Sequence, residues 1–177
     1  MLHRVLAVAA ALALAHPVAS LAQAEGERPA ACAATDAALP VELSAWTAKA
    51  SLVAAAGSDE LSRAEVRPGQ AVSVALPLTP AVTYVVQPEK PGGSVSHGGL
   101  LSLRIGKAGT YRIALDSGAW IDLIKDGAAA SSTAHGRGPP CSTVRKMVDF
   151  ALTPGRYVIQ ISANADPSIG LLVAAAP

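Results

Sequence analysis

One pattern occurs twice in the sequence. LSLRIGKAGTYRIAL (residues 101–115) and VDFALTPGRYVIQI (residues 148–161) share a spaced set. Leu101, Leu103, Ile105, Gly109, Tyr111, Ile113 and Leu115 in the first copy match Val148, Phe150, Leu152, Gly155, Tyr157, Ile159 and Ile161 in the second. Apolar side chains at every second position describe a strand with one buried face, whereas a helix would repeat them every 3.6 residues. Each copy therefore reads as two strands joined by a short glycine-containing turn, and the pattern predicts two similar β-hairpins. The same alternation places Ser102, Arg104, Arg112 and Ala114 in the first copy, and Asp149, Ala151, Val158 and Gln160 in the second, on the solvent side.

The rest of the chain reads as more of the same. LSRAEV, AVSVALPL and VTYVVQP are short and valine-rich, separated by Pro68-Gly69 and Thr79-Pro80, and PEKPGGSVSHGG is a loop that its prolines and glycines keep from regular structure. Between the copies, WIDLIK sets Trp120, Asp122 and Ile124 on one side and Ile121, Leu123 and Lys125 on the other, before an Asp126-Gly127 turn; SIGLLVAAAP supplies a last strand. Eight or nine short strands without a long helix predict an all-β chain: an antiparallel β-sandwich of jelly-roll type over residues 61–177. Residues 25–60 are expected to be an irregular N-terminal segment. Within it LPVELSAWTAKASLVAAAG is rich enough in alanine for a helix, yet Pro40 and the Gly57-Ser58-Asp59 break suit a strand with an irregular lead-in equally well.

Residues 1–24 have a short basic start at His3 and Arg4, an apolar run too short to span a bilayer, and a small-x-small sequence at Ala22-Gln23-Ala24. They predict a secretory signal peptide, a periplasmic or secreted chain of roughly 150 residues, and no transmembrane segment in the mature chain. Of the 14 lysines and arginines one is Arg4, so the remainder balance the 13 acidic residues and the mature chain is formally neutral. A neutral chain with few aromatics argues against nucleic acid as a partner. Both cysteines, Cys32 and Cys141, follow the leader, and an oxidising compartment predicts their disulfide. Closing a loop of about 100 residues stabilises by roughly 4 to 5 kcal/mol in the chain-entropy account.

Candidate chemistry concentrates in AHGRGPPCSTVRKMVDF, residues 134–150. His135, Arg137, Arg145 and Lys146, with Trp120 as a neighbour, are the candidate binding residues, and Arg156 after the next turn extends the basic patch. An envelope protein or a small anionic ligand is the partner such cations would take. Gly136, Gly138 and Pro139-Pro140 make the approach to Cys141 rigid. A serine nucleophile at Ser142 beside His135 lacks the G-x-S-x-G elbow. A copper site is disfavoured because no histidine lies between Cys141 and Met147. No motif specifies a reaction, so no cofactor is expected and an iron site is the alternative. Iron needs two histidines and a carboxylate with open positions; His97, His135 and Asp122 are the candidate ligands, with Asp126 or Glu89 in place of Asp122 as variants.

Two resemblances accompany this reading. The run G-x-Y with alternating apolar residues, then Trp120-Ile121-Asp122-Leu123, then L-x-P-G-x-Y with the same alternation, resembles the C-terminal half of bacterial pre-peptidase C-terminal domains over residues 100–173. Those are secreted β-sandwich modules appended to hydrolases, and the resemblance implies an accessory, non-catalytic role. The block GAWIDL followed by AHGRGPPCSTVRKMVDF and LTPGRY is similar, from residue 92 onward, to short exported proteobacterial proteins often labelled homogentisate 1,2-dioxygenase. That label implies a non-haem-iron dioxygenase-like enzyme, in which two histidines and a glutamate hold the metal.

Overall fold

The computed structural model describes Cys32 and residues 35–177; the expected signal peptide and the rest of residues 25–34 lie outside the described residues. Among the described residues eleven strands form: β1 (Ala50–Val53), β2 (Glu65–Val66), β3 (Ala71–Ala75), β4 (His97–Ile105), β5 (Gly109–Leu115), β6 (Trp120–Lys125), β7 (Ala128–Ala129), β8 (Ala134–Gly136), β9 (Lys146–Leu152), β10 (Gly155–Asn164) and β11 (Ser168–Ala175). A six-stranded sheet runs β1-β3-β11-β5-β9-β8 and a five-stranded sheet runs β2-β4-β10-β6-β7. The chain is a β-sandwich, as its alternation predicts. Of the expected strands, LSRAEV keeps only the two residues of β2, its start being a 3-10 turn, and VTYVVQP is irregular; β7 and β8, two and three residues long, were not expected. All pairings are antiparallel except β1 with β3 and β2 with β4, which run parallel.

The repeated segments do not close as hairpins. β4 belongs to the five-stranded sheet and β5 to the six-stranded one, and β9 and β10 are divided in the same way. Each short turn carries the chain from one sheet across to the other, and each strand then pairs with the other copy. The registers are reciprocal: Leu101 faces Ile159, Leu103 faces Tyr157 and Ile105 faces Gly155, while Val148 faces Ile113, Phe150 faces Tyr111 and Leu152 faces Gly109. Matched positions of the two copies thus make matched pairs. Period-2 alternation encodes one buried face per strand but not whether the next strand lies beside it or opposite it. In both arrangements the apolar set points into one core, here built from residues of both sheets such as Leu103, Ile113, Phe150 and Ile159.

A true two-residue hairpin does form where Asp-Gly called for one. Lys125 pairs with Ala128 around Asp126 and Gly127, whose φ angles of 51° and 77° are the left-handed pair a type I′ turn requires.

The undecided stretch contains a 3-10 helix, Val41–Thr47, followed by β1. Leu43 and Trp46 stand three residues apart, which aligns them on one face at three residues per turn, and both are fully buried. That face lies on the outside of the six-stranded sheet, against Ala71, Ala114, Leu172 and Ala174, with Val144 and Met147 beside it. Small side chains on the strands leave room for the indole. Residues expected on the solvent side are accordingly covered: Ala114 is 0% exposed and Asp149 is 9% exposed. Asp149 is held there by Arg112, its register partner, through two hydrogen bonds of 2.8 Å, and Glu42 of the 3-10 helix lies 3.4 Å from the same guanidinium.

Candidate functional site

The segment 134–150 is tied down at its middle. Cys32 and Cys141 form the predicted disulfide. Around it, the Asp36 amide donates to the Cys141 carbonyl (2.9 Å), and the Asp36 carboxylate accepts from the Thr143 amide and hydroxyl, each at 2.7 Å. The Trp46 indole N–H donates to the same hydroxyl oxygen at 2.7 Å. Ser142 donates its hydroxyl to the Pro139 carbonyl, a loop-closing bond. Gly138 is needed where it stands, because a Cβ there would strike the backbone of Val144.

This frame separates the candidate binding residues. His135, on the short edge strand β8, is exposed, as are Arg137 and Arg145. Lys146 points the other way, as alternation requires of adjacent strand residues. Its ammonium donates to the Ala119 carbonyl at 2.7 Å and sits 5.5 Å from the centre of the Trp120 ring. Arg156, on β10, belongs to the other sheet.

Lys146 and Trp120 instead join a second group. The Trp120 indole donates to Asp122 Oδ1 at 2.9 Å, and Lys90 approaches the same ring at 5.1 Å. Asp122 Oδ2 is buried without a hydrogen-bond partner. Burial raises the pKa of Asp122 above the usual carboxylate value, against the lowering effect of the Trp120 hydrogen bond. Burial, with Lys90 nearby, lowers that of Lys146.

The iron alternative needs residues that the fold keeps apart. His135 lies on the edge of the six-stranded sheet, while His97 and Asp122 lie on β4 and β6 of the five-stranded sheet, which β10 separates. Among the described residues no three His, Cys, Asp or Glu side chains are grouped so as to hold a metal. His97 Nδ1 is buried and without a hydrogen-bond partner.

The outer face of the five-stranded sheet carries a feature absent from the sequence reading. Residues 82–96 cross it, clamped by Gln160, which is 0% exposed although alternation placed it in solvent. Its Oε1 accepts from the Val85 and Val86 amides (2.6 and 3.1 Å), and its Nε2 donates to the Val86 carbonyl (3.0 Å). Ser162 donates to the Lys90 carbonyl at 2.8 Å and the Tyr84 hydroxyl to that of Ile161 at 3.1 Å. Gly98 makes the Tyr84 contact possible, since a Cβ there would collide with the phenol. Beyond the clamp the same face opens into a groove of about 610 Å³. Val158 and Ile124 lie in its lining with Arg104 and Arg156, and Val85, Asp59, Glu65 and Asp126 also line it. The sequence placed Arg104 and Val158 correctly on the outer face, but only the β4–β10 register brings Arg156 alongside.

The architecture defines the class of protein as a β-sandwich. No family model matches the sequence, and no curated protein matches it. A solved structure similar to it is the pre-peptidase C-terminal domain of collagenase from Bacillus anthracis, at 13% identity over 71% of this chain and 95% of that one, with a TM-score of 0.39.

Proposed function

We propose that this chain is an exported binding or accessory module, periplasmic or secreted, rather than an enzyme. The observation that carries this reading is the unequal treatment of the two outer faces. Leu43 and Trp46 cover part of one, which leaves a shallow hollow beside β1 and β3, while the other carries a groove that has both charged and apolar lining. Open, partly apolar concavities with a few polar groups are the usual form of a ligand site. Export is supported by the leader-like residues 1–24 and by the disulfide. Among the described residues no helix is long and apolar enough to cross a membrane.

A second surface is favoured by the exposure of His135, Arg137 and Arg145 along and beside the edge strand β8, which suits an acidic region of an envelope protein. Capture of partners from periplasmic extract should weaken when Arg137 and Arg145 are replaced by serine; unchanged capture removes that edge from the account. Metal content tests the reading as a whole. Protein purified without a histidine tag should hold far less than one equivalent of iron or copper, and a stoichiometric metal lost on His97→Ala or His135→Ala would establish the dioxygenase-like alternative instead.

A further inference from the structure

Arg104 on β4 and Arg156 on β10 are direct register partners. Opposed residues on one sheet face hold their Cβ atoms about 5 Å apart, and like charges so placed disfavour the pairing. Among the described residues neither guanidinium has an ion-pair or side-chain hydrogen-bond partner, and Glu65, in the same groove, lies 3.4 Å from Arg67 instead. Two guanidiniums side by side offer the planar forks that take a carboxylate by paired N–H donors. The rest of the lining narrows the ligand. Three carboxylates, Asp59, Glu65 and Asp126, line the same groove, so it presents both signs of charge rather than a purely cationic surface. A ligand with a carboxylate and an ammonium meets opposite charge at both ends, with Val158 and Ile124 to cover the apolar part between.

We propose that the Arg104–Arg156 pair is a binding site for a small zwitterion, an amino acid or short peptide, whose carboxylate lies between the two guanidiniums and whose ammonium is taken by the carboxylates of the same lining. This rests on the reading of the chain as a binding module. The test is titration of the disulfide-intact protein with alanine, trialanine and succinate, followed by amide chemical shifts. Trialanine or alanine should move the amides of Arg104, Arg156 and Val158, and not those of residues 134–145. Arg104→Gln and Arg156→Gln should each weaken that binding at least tenfold, and Asp126→Asn should weaken it several-fold. The two zwitterions separate a free amino acid from a peptide as the source. Absence of shifts at millimolar concentration, binding unchanged in both glutamine variants, or succinate bound as tightly as the zwitterions would overturn the proposal. If partner capture through the Arg137–Arg145 edge survives that failure, the binding-module reading stands; if capture fails as well, both fall.

Discussion

Across the outer face of the six-stranded sheet lies a 3-10 helix of just over two turns that inserts Leu43 and Trp46 between alanines, braced by Glu42 on Arg112 and by the Asp36–Thr143 contacts beside the disulfide. Across the five-stranded sheet lies a longer irregular segment, residues 82–96, held by hydrogen bonds to the backbone from Gln160, Ser162 and Tyr84. The first cover draws on apolar burial and a covalent link. The second relies on polar contacts, each of which stabilises by only about 1 kcal/mol because water offers the chain comparable bonds when it lifts. One face is therefore fixed as part of the core, while the other keeps a segment able to open beside a ligand-sized groove.

That contrast orders the expected effects. Removing the disulfide by Cys32→Ser with Cys141→Ser should lower unfolding free energy by about 4 kcal/mol, close to the chain-entropy value, read by denaturant titration. A loss under about 1 kcal/mol would mean that the cover on the six-stranded sheet holds without its covalent link. Trp46→Ala should cost about 3 kcal/mol, from the cavity and the lost bond to Thr143. The same titration checks it, and a near-neutral result would make the plug dispensable. Gln160→Ala should cost about 2 kcal/mol, since three backbone groups lose a buried partner but rehydrate once residues 82–96 lift. Faster amide exchange confined to that segment is the accompanying signature; equal acceleration under Trp46 would erase the distinction.

The smallest effect concerns Asp122. Its folded pKa is raised by burial, so its charged form is penalised in the folded state, and this cost is absent below the unfolded value near 4 and grows as pH rises through the folded value. Asp122→Asn should therefore stabilise slightly at pH 7, and the gain should vanish at pH 3. A variant that is destabilised at both pH values would show instead that the Trp120 hydrogen bond needs the carboxylate.

Much of this was legible in the residues, and what was not has definite causes. The period-2 repeat of residues 101–115 and 148–161 gave every core-facing side chain correctly, because burial of one face is a local property of the strand. It gave the wrong neighbours, because pairing β4 with β10 and β5 with β9 depends on where the three-residue and two-residue turns lead, which alternation does not record. The disulfide followed from two cysteines behind an expected leader, and the β6–β7 turn from Asp-Gly. The covers were invisible for a different reason. Ala114, Asp149 and Gln160 sit on outward positions, and their burial depends on irregular segments arriving from elsewhere in the chain. The Arg104–Arg156 pair was hidden likewise, since each arginine alone reads as a solvated strand position.

Native-state hydrogen exchange on the oxidised protein tests the difference between the two faces most directly. The Val85 and Val86 amides, bonded to Gln160, should exchange by local opening well below the free energy of global unfolding, while the Arg145 amide, bonded to Leu115 under the disulfide-anchored loop, should exchange only near the global limit. Equal protection at the two places, or faster exchange at Arg145, would contradict the account.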